Sequence, residues 1–314
     1  MTVDIIIPTY KPDETLCLLL HKLQGQTFVV HRVIILNTEE KLWKQAAAAY
    51  PIEQVLKELP CEYEVFHIAK KDFDHGGTRN MGASISKADI VLYITQDAMP
   101  ADEHLIEEFI KVFEAHSDIG VAYGRQLPKN DCNIIERFTR RFNYPEKSRI
   151  KSKSDLNELG IKTFFCSDVC AAYRRNYLLG AGGFEDPTIF NEDMIFARKR
   201  ILAGDKVAYV AEAKVLHSHN YTGRQQFHRN FDLAVSQAQY PEVFEGVPSE
   251  GEGIRMVKAT ARYLIRNEQP LKVIILMYQS GCKYIGYFLG KRYKKLPMWI
   301  VMKCTSNPNY WKKS

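Results

Sequence analysis

The sequence predicts a doubly wound α/β fold, a mostly parallel central sheet flanked by helices, with a helical C-terminal extension. Three observations carry this. Short β-branched runs recur about one βαβ unit of ~30 residues apart. Amphipathic helical stripes fall between them, and beyond about residue 255 the chain turns helical and basic.

The strand-like runs are Val3–Ile7, Val33–Leu36, Tyr63–Ile68, Ile90–Ile94 and Ile119–Tyr123. Between the first two, Leu16, Leu19, Leu20 and Leu23 share one helical stripe behind Asp13, a suitable cap. After the fourth run, Leu105, Phe109, Val112 and Phe113 repeat the pattern behind Asp102. Residues 129–157 crowd Arg137, Arg140, Arg141, Lys147, Arg149, Lys151 and Lys153 into a polar stretch, which reads as a mobile loop or small subdomain over a site, or as a solvated basic surface. A strand at Thr163–Phe165, a helix at Phe190–Leu202 and a strand at Val207–Val210 follow. In Leu271–Leu289, Lys272, Gln279 and Lys283 line one face and Val273, Leu276, Met277, Tyr284, Tyr287 and Phe288 the apolar side, ahead of the basic run Lys291–Lys295. Such a helix suits an anionic membrane surface, the protein's own core or a second subunit; its central lysine disfavours a spanning role.

The 314 residues are enough for one large domain with an appendage or for two domains. Hydrophobic residues at 46% and charged residues at 25% exclude a disordered, collagen-like or wholly membrane-embedded chain. A net charge of +6 allows an anionic partner without choosing one, and no reading motif for nucleic acid is visible. Seven scattered cysteines lack C-x-x-C spacing and read as reduced thiols of a cytoplasmic protein. The N-terminal run Asp4–Pro8 lacks the positive charge and the longer apolar core of a signal peptide.

In open α/β sheets, ligands sit beyond the carboxyl ends of the strands. Those positions here hold Pro8, Thr9 and Tyr10; Asn37 and Thr38; the stretch His75, Gly76, Gly77, Thr78, Arg79 and Asn80; and Thr95, Gln96 and Asp97. None carries G-x-G-x-x-G or a Walker A sequence, which removes the main support for a dinucleotide or P-loop site. The 75–80 stretch suits a diphosphate or a nucleobase edge, or is a glycine turn opening a helix capped by Thr78. Asp97 ends a strand where a divalent cation would meet a nucleotide's phosphates, and His217 and His219, two apart in an extended segment, face one side and could complete its coordination. Glu192 and Asp193 open a helix, where acidic residues also simply complement the dipole. Gly183 and Phe184 could wall a pocket, and Cys166, Ser167 and Asp168 could touch an acceptor or cap a turn.

Taken in order, these segments resemble the inverting family-2 glycosyltransferases of GT-A (Rossmann-like) fold over about residues 3–222, most closely bacterial rhamnosyltransferases that build cell-surface polysaccharides. The resemblance implies that Pro8, Thr9, Tyr10, Asn37 and Thr38 surround the nucleoside of a dTDP-L-rhamnose donor, and that His75, Thr78, Arg79 and Asn80 reach its base or diphosphate. Asp97 stands for the last aspartate of the D-x-D motif that binds Mg²⁺ or Mn²⁺, with Gln96 and Thr95 in place of its earlier acid. His219, or His217, is then the downstream metal ligand, and Asp193 of the Asn191–Asp193 segment is the general base beside Glu192.

The expected organisation is a GT-A domain over residues 1–225, with a nucleotide-sugar half over about 1–125 and an acceptor half over about 126–225, and a helical extension over 226–314. The expected acceptor is a saccharide, lipid-linked at the inner face of the cell membrane, with peripheral membrane contact or a homodimer through the extension. A different nucleotide sugar, or metal-dependent nucleotidyl or phosphoryl transfer, are the competing activities.

Overall fold

The computed structural model describes residues 1–244, 246 and 250–312. The first half of the chain alternates strand and helix. It runs β1 (Val3–Tyr10), α1 (Glu14–Gln24), β2 (Arg32–Thr38), α2 (Glu40–Ala49), α3 (Ile52–Lys57), β3 (Glu62–Ile68), α4 (His75–Ile85), β4 (Ile90–Ile94), β5 (Met99–Pro100), α5 (Leu105–Ala115) and β6 (Ile119–Leu127). There follow α6 (Ile134–Asn143), β7 (Arg149–Lys151), α7 (Leu156–Leu159), β8 (Cys170–Arg174), α8 (Arg175–Gly180), α9 (Glu192–Leu202) and β9 (Lys206–Leu216). The remainder is helical: α10 (Gly223–Gln239), α11 (Pro241–Phe244), α12 (Glu250–Arg266), α13 (Lys272–Gly290) and α14 (Met298–Cys304).

Among the described residues the strands form one sheet in the order β3-β2-β1-β4-β8-β6-β9-β5, with β7 pairing on β9. β1, β2, β3 and β4 are mutually parallel, as are β6 and β9. β8 runs antiparallel between β4 and β6. The apolar runs are continuous because both faces are covered. Ile5 and Ile7 point to the layer holding Leu16, Leu20, Trp43 and Phe109, while Ile6 points to the layer holding Tyr93, Tyr173, Phe184 and Phe196. Burying each such side chain contributes roughly 1.5–3 kcal/mol.

Asp13 caps α1 as expected, accepting from the Thr15 amide at 2.9 Å. The strand placed at Thr163–Phe165 is instead a 3-10 turn over Gly160–Phe164, and the strand itself lies further on, at Cys170–Arg174. Residues 129–157 form ordered structure rather than a mobile loop. Arg149 pairs with Asp155 and Glu158, and Arg137 donates to the Asn130 and Cys132 carbonyls. The described cysteines are all free thiols.

α10 runs through residues 225–226, and the C-terminal helices pack onto the sheet domain. Phe231, Val235 and Val301 enclose Ile189, and Ile135 of α6 meets Leu264 of α12 and Leu276 of α13. Two glycines set the closest approach: a Cβ at Gly286 would lie 2.2 Å from the Phe227 carbonyl, and one at Gly290 2.3 Å from the Phe231 carbonyl. α13 therefore turns its small residues and Lys272, Gln279 and Lys283 toward the protein, and Met277, Tyr284 and Phe288 are exposed. The apolar side expected of this helix is thus divided, Leu276 buried against α6 and α12 and Met277, Tyr284 and Phe288 facing outward.

Candidate active site

The sheet delivers its functional side chains to one edge, beyond the carboxyl ends of β1, β2 and β4. Thr9 donates to Asn37 Oδ1 at 3.2 Å, and Asn37 Nδ2 reaches the Glu39 carbonyl and His67 Nδ1. Thr9, Asn37 and Thr38 are buried and form the floor of this region. Tyr10 is exposed above it, with Lys70 Nζ at 3.1 Å from its hydroxyl and the Lys11 and Lys70 ammonium groups 5.5 and 5.4 Å from its ring centre. A flat aromatic ring with flanking cations can receive a base and its phosphates. Pro8, in β1, is half-buried. Gln96 fastens the tips of β1 and β4: its Oε1 accepts from the Tyr10 amide at 3.0 Å and its Nε2 donates to the Tyr10 carbonyl at 3.2 Å.

Asp97, His217 and His219 converge. Asp97 Oδ2 lies 3.4 Å from His217 Nε2 and 3.2 Å from His219 Nε2, and the two Nε2 atoms are 3.0 Å apart. Gln126 Oε1 sits 3.0 Å from His217 Nδ1, which places the ring proton there and turns the Nε2 lone pair toward Asp97. Tyr221 stacks on His219 at 4.8 Å. Burial lowers both imidazoles, His219 to about 4, so both are neutral near pH 7. Burial works against the Asp97 carboxylate, but the two polar rings beside it outweigh burial and hold it below the usual range. One anionic oxygen and two neutral nitrogens within 4.8 Å of one another fit a divalent cation. Both histidines, rather than one, face this point.

The second cluster surrounds Arg79. The chain enters α9 through Asn191 in the left-handed conformation (φ 65°), which an asparagine tolerates. Glu192 then meets Arg79 Nη1 at 3.0 Å, and Asp168 meets Arg79 Nε at 3.0 Å. Tyr173 donates to Asp168 at 2.6 Å, and the Asp168 backbone amide donates to Asp193 Oδ2 at 3.0 Å. One guanidinium faces three carboxyls, so they cannot all ionise cheaply. Glu192 is held low: burial opposes its charge, but Arg79 beside it prevails. Burial pushes Asp168 up to about 7 against the pull of Arg79. Burial, Glu192 and Asp168 together raise Asp193 well above the carboxylate range. Of the three, Asp193 alone is half-exposed.

Several residues expected to touch ligand are buried or bound to other protein groups. Arg79 is buried and committed to Asp168 and Glu192. Asp74, not Thr78, caps α4, accepting from the Gly76 and Gly77 amides, and Thr78 is buried beneath it. Asn80 is clamped to the Phe184 backbone by a pair of 2.8 Å bonds. Gly76 serves close packing, since a Cβ there would lie 1.9 Å from the Glu185 carbonyl. Of this stretch His75 is half-exposed, 4.0 Å from Glu192. Cys166, Asp168 and Phe184 are buried, and Phe184 packs among Tyr93, Tyr173 and Phe196, so none of these three lines an acceptor surface. Gly183 (φ 74°) turns the chain against Asn80, and Ser167 is half-buried, accepting from Gln126 Nε2 at 3.0 Å.

Two further arginines lie beside the site, Arg140 from the basic stretch noted in the sequence and Arg229, which the sequence did not single out. Arg140 of α6 binds Glu136 and Gln126. Arg229 of α10 lies over the Phe190 and Tyr221 rings, and its charge acts on both His75 and His219. Nothing in the local pattern of α6 or α10 distinguishes these arginines from their neighbours; only the packing of the helices does.

A strand-edge site with a cation-ready cluster and a separate acidic cluster fits a sugar-nucleotide transferase. The chain belongs to glycosyl transferase family 2, whose sequence profile matches residues 4–179, and it is a glycosyltransferase. It is 39% identical over 317 residues to the O-antigen chain rhamnosyltransferase RfbN of Salmonella typhimurium, covering 99% of this chain and 96% of that one. It is 41% identical over 248 residues to the O-antigen chain rhamnosyltransferase WbaN of Salmonella anatum, covering 78% of each. The expected GT-A-like architecture is found: a mannosyltransferase from Pyrobaculum calidifontis, solved with GDP-Man and Mn²⁺, superposes with a TM-score of 0.58 at 12% identity, over 94% of this chain and 88% of that one. S. aureus TarS (residues 1–349) superposes at 0.52 and 13% identity, over 94% and 91%.

Proposed function

We propose that this glycosyltransferase is inverting and metal-dependent, and moves L-rhamnose from dTDP-β-L-rhamnose to a saccharide acceptor in cell-surface polysaccharide synthesis. The names of the two Salmonella relatives support the sugar. The observation that carries the mechanism is the position of Asp193, half-exposed beside a buried acidic pair that raises its proton affinity.

A sugar hydroxyl is a weak nucleophile near neutral pH, so a base must take its proton during attack. Asp193 Oδ2, oriented by the Asp168 amide, is that base. Glu192 and Arg79 fix the start of α9 and keep Asp193 in place. On the opposite side Tyr10, Lys11 and Lys70 receive the nucleoside diphosphate, and Arg229 offers positive charge nearby. Asp97, His217 and His219 would hold Mg²⁺ or Mn²⁺, which when bound offsets charge on the departing diphosphate. A single displacement inverts the anomeric centre and gives an α-L-rhamnoside. The acceptor is a saccharide, lipid-linked at the inner face of the cell membrane, where the protein acts from the cytoplasm.

The test is nucleoside diphosphate release from dTDP-rhamnose, UDP-glucose, UDP-galactose and GDP-mannose, with Mg²⁺ or Mn²⁺ and with chelator. Selective, chelator-sensitive turnover of dTDP-rhamnose is expected. Selective use of another donor overturns the rhamnosyl assignment but keeps the mechanism, and cleavage of the nucleotide without sugar transfer to any acceptor points to nucleotidyl or phosphoryl transfer.

A further inference from the structure

A helix on a water-soluble domain ordinarily buries its large apolar side chains and exposes its charges. α13 buries Leu276 and packs Val273 and Leu289 inward but leaves most of its large apolar side chains exposed. Its contact with α10 is made through Gly286 and Gly290, and Gln279 Nε2 donates to the Tyr221 carbonyl at 3.3 Å. Lys283 is turned inward toward Glu136 and Arg140, and burial lowers its ammonium. Successive helical turns, at 100° per residue, put Leu271, Ile274, Tyr278, Ile285 and Phe288 on one outward stripe. Leu271 is 78% exposed, Ile274 69% and Ile285 54%. The stripe is roughly 25 Å long at 1.5 Å per residue, and Met277 and Tyr284 widen it. A continuous apolar strip of this kind marks a contact surface rather than scattered exposed residues.

Charge decides what the contact is. From residue 269 to the end, the sequence holds nine Lys and Arg and no Asp or Glu. Lys291, Arg292, Lys294 and Lys295, directly beyond the helix, are all exposed. Two copies joined through this region would set like charge against like charge, whereas an anionic lipid headgroup layer complements it. Among the described residues no helix is long and apolar enough to cross a membrane, so α13 would lie along the surface with its bulky side chains in the headgroup and upper acyl region.

We infer that the outward face of α13, with the basic segment that follows it, is a docking surface for an anionic lipid bilayer. The surface stands apart from the identity of the donor sugar, but it is joined to the site. The inward face of the same helix holds Tyr221, and Tyr221 stacks on His219. Docking therefore sets the cation-ready cluster at a fixed height behind the lipid surface, where a lipid-linked acceptor would be presented.

The experiment is co-sedimentation of the full chain with phosphatidylcholine vesicles, with and without phosphatidylglycerol, alongside size-exclusion chromatography with light scattering. Two variants are compared with wild type: Leu271→Ser with Ile274→Ser and Ile285→Ser, and Lys294→Ala with Lys295→Ala. Donor hydrolysis and circular dichroism, unchanged in both variants, show that they fold. Wild type is expected to bind the phosphatidylglycerol vesicles, less so at high salt. The triple variant should lose at least about tenfold in partitioning, and the lysine pair roughly tenfold together with most of the preference for anionic lipid. Wild type left in the supernatant with both vesicles, or triple-variant binding equal to wild type, overturns the inference. A soluble dimer dissolved by the triple variant, without vesicle binding, assigns the face to a second copy instead.

Discussion

The Asp168 backbone amide donates to Asp193 Oδ2 at 3.0 Å, while the Asp168 side chain is turned away to Arg79 and Tyr173. One residue thus orients the Asp193 carboxyl with its backbone and, after burial and Glu192, raises its proton affinity with its side chain. The first contact fixes where the lone pair points; burial, Glu192 and then the Asp168 side chain raise the cost of ionising the carboxyl.

Asp193→Asn should lower transfer by about 10²–10⁴-fold, the usual share of a general base, while donor binding survives. Because the Asp193 pKa is raised, the ionised base is lost as pH falls through a value above the ordinary carboxylate range. The kcat/KM of wild type should therefore climb with pH through that midpoint, and the variant should show no such limb. A pH profile with the same midpoint in both proteins would remove Asp193 as the base.

Asp97→Ala, His217→Ala and His219→Ala should each weaken Mn²⁺-dependent donor binding, because their ligand atoms meet at one point. Gln126→Leu should cost about 10–100-fold in metal affinity by releasing the His217 ring. Isothermal titration with Mn²⁺ and nucleoside diphosphate measures both effects. If one histidine variant titrates like wild type, the set reduces to the other.

Arg79→Met leaves Asp168 and Glu192 buried without their cation and should destabilise the fold by about 3–5 kcal/mol near neutral pH. Chemical denaturation at neutral and acidic pH checks this, since protonating the two carboxyls should recover part of the loss. Arg79→Lys, unable to span both carboxylates, should recover little. Nucleoside diphosphate affinity should fall far less than transfer; an equal fall in both would put Arg79 on the diphosphate after all.

Lys151 is buried, with Nζ donating to the Lys162 and Phe165 carbonyls above the Tyr123 ring. Burial lowers its pKa to about 7 from an ordinary 10.5. Above pH 10.5 folded and unfolded chains are both neutral there; as pH falls the unfolded chain gains the proton first, so stability drops until about pH 7 and then levels off. Lys151→Met should flatten that part of the stability profile, read as melting temperature between pH 7 and 10.

Much of the sheet was legible because its strands are buried on both faces and so appear as unbroken β-branched runs. α1 and α5 announced themselves through leucine and phenylalanine spacing. β8 did not: Cys170–Arg174 ends in arginine and is short, whereas the more apolar Thr163–Phe165 packs as a turn under β7 and α9. The motif residues at strand ends were visible, but not their division of labour. Arg79 and Asp168 lie far apart in the chain, and only the fold shows that they pair and are buried. The direction of α13 was left open for a similar reason. Periodicity separates two faces of a helix; the fit of Gly286 and Gly290 against the α10 backbone decides which of them turns inward.

β9 brings His217 and His219 to Asp97 by lying between β6 and β5. During synthesis, a ribosome releases Asp97 long before either imidazole exists outside the exit tunnel, and a growing chain meanwhile offers a cation one carboxylate. Cation capture at this cluster would therefore report a finished sheet rather than guide its assembly.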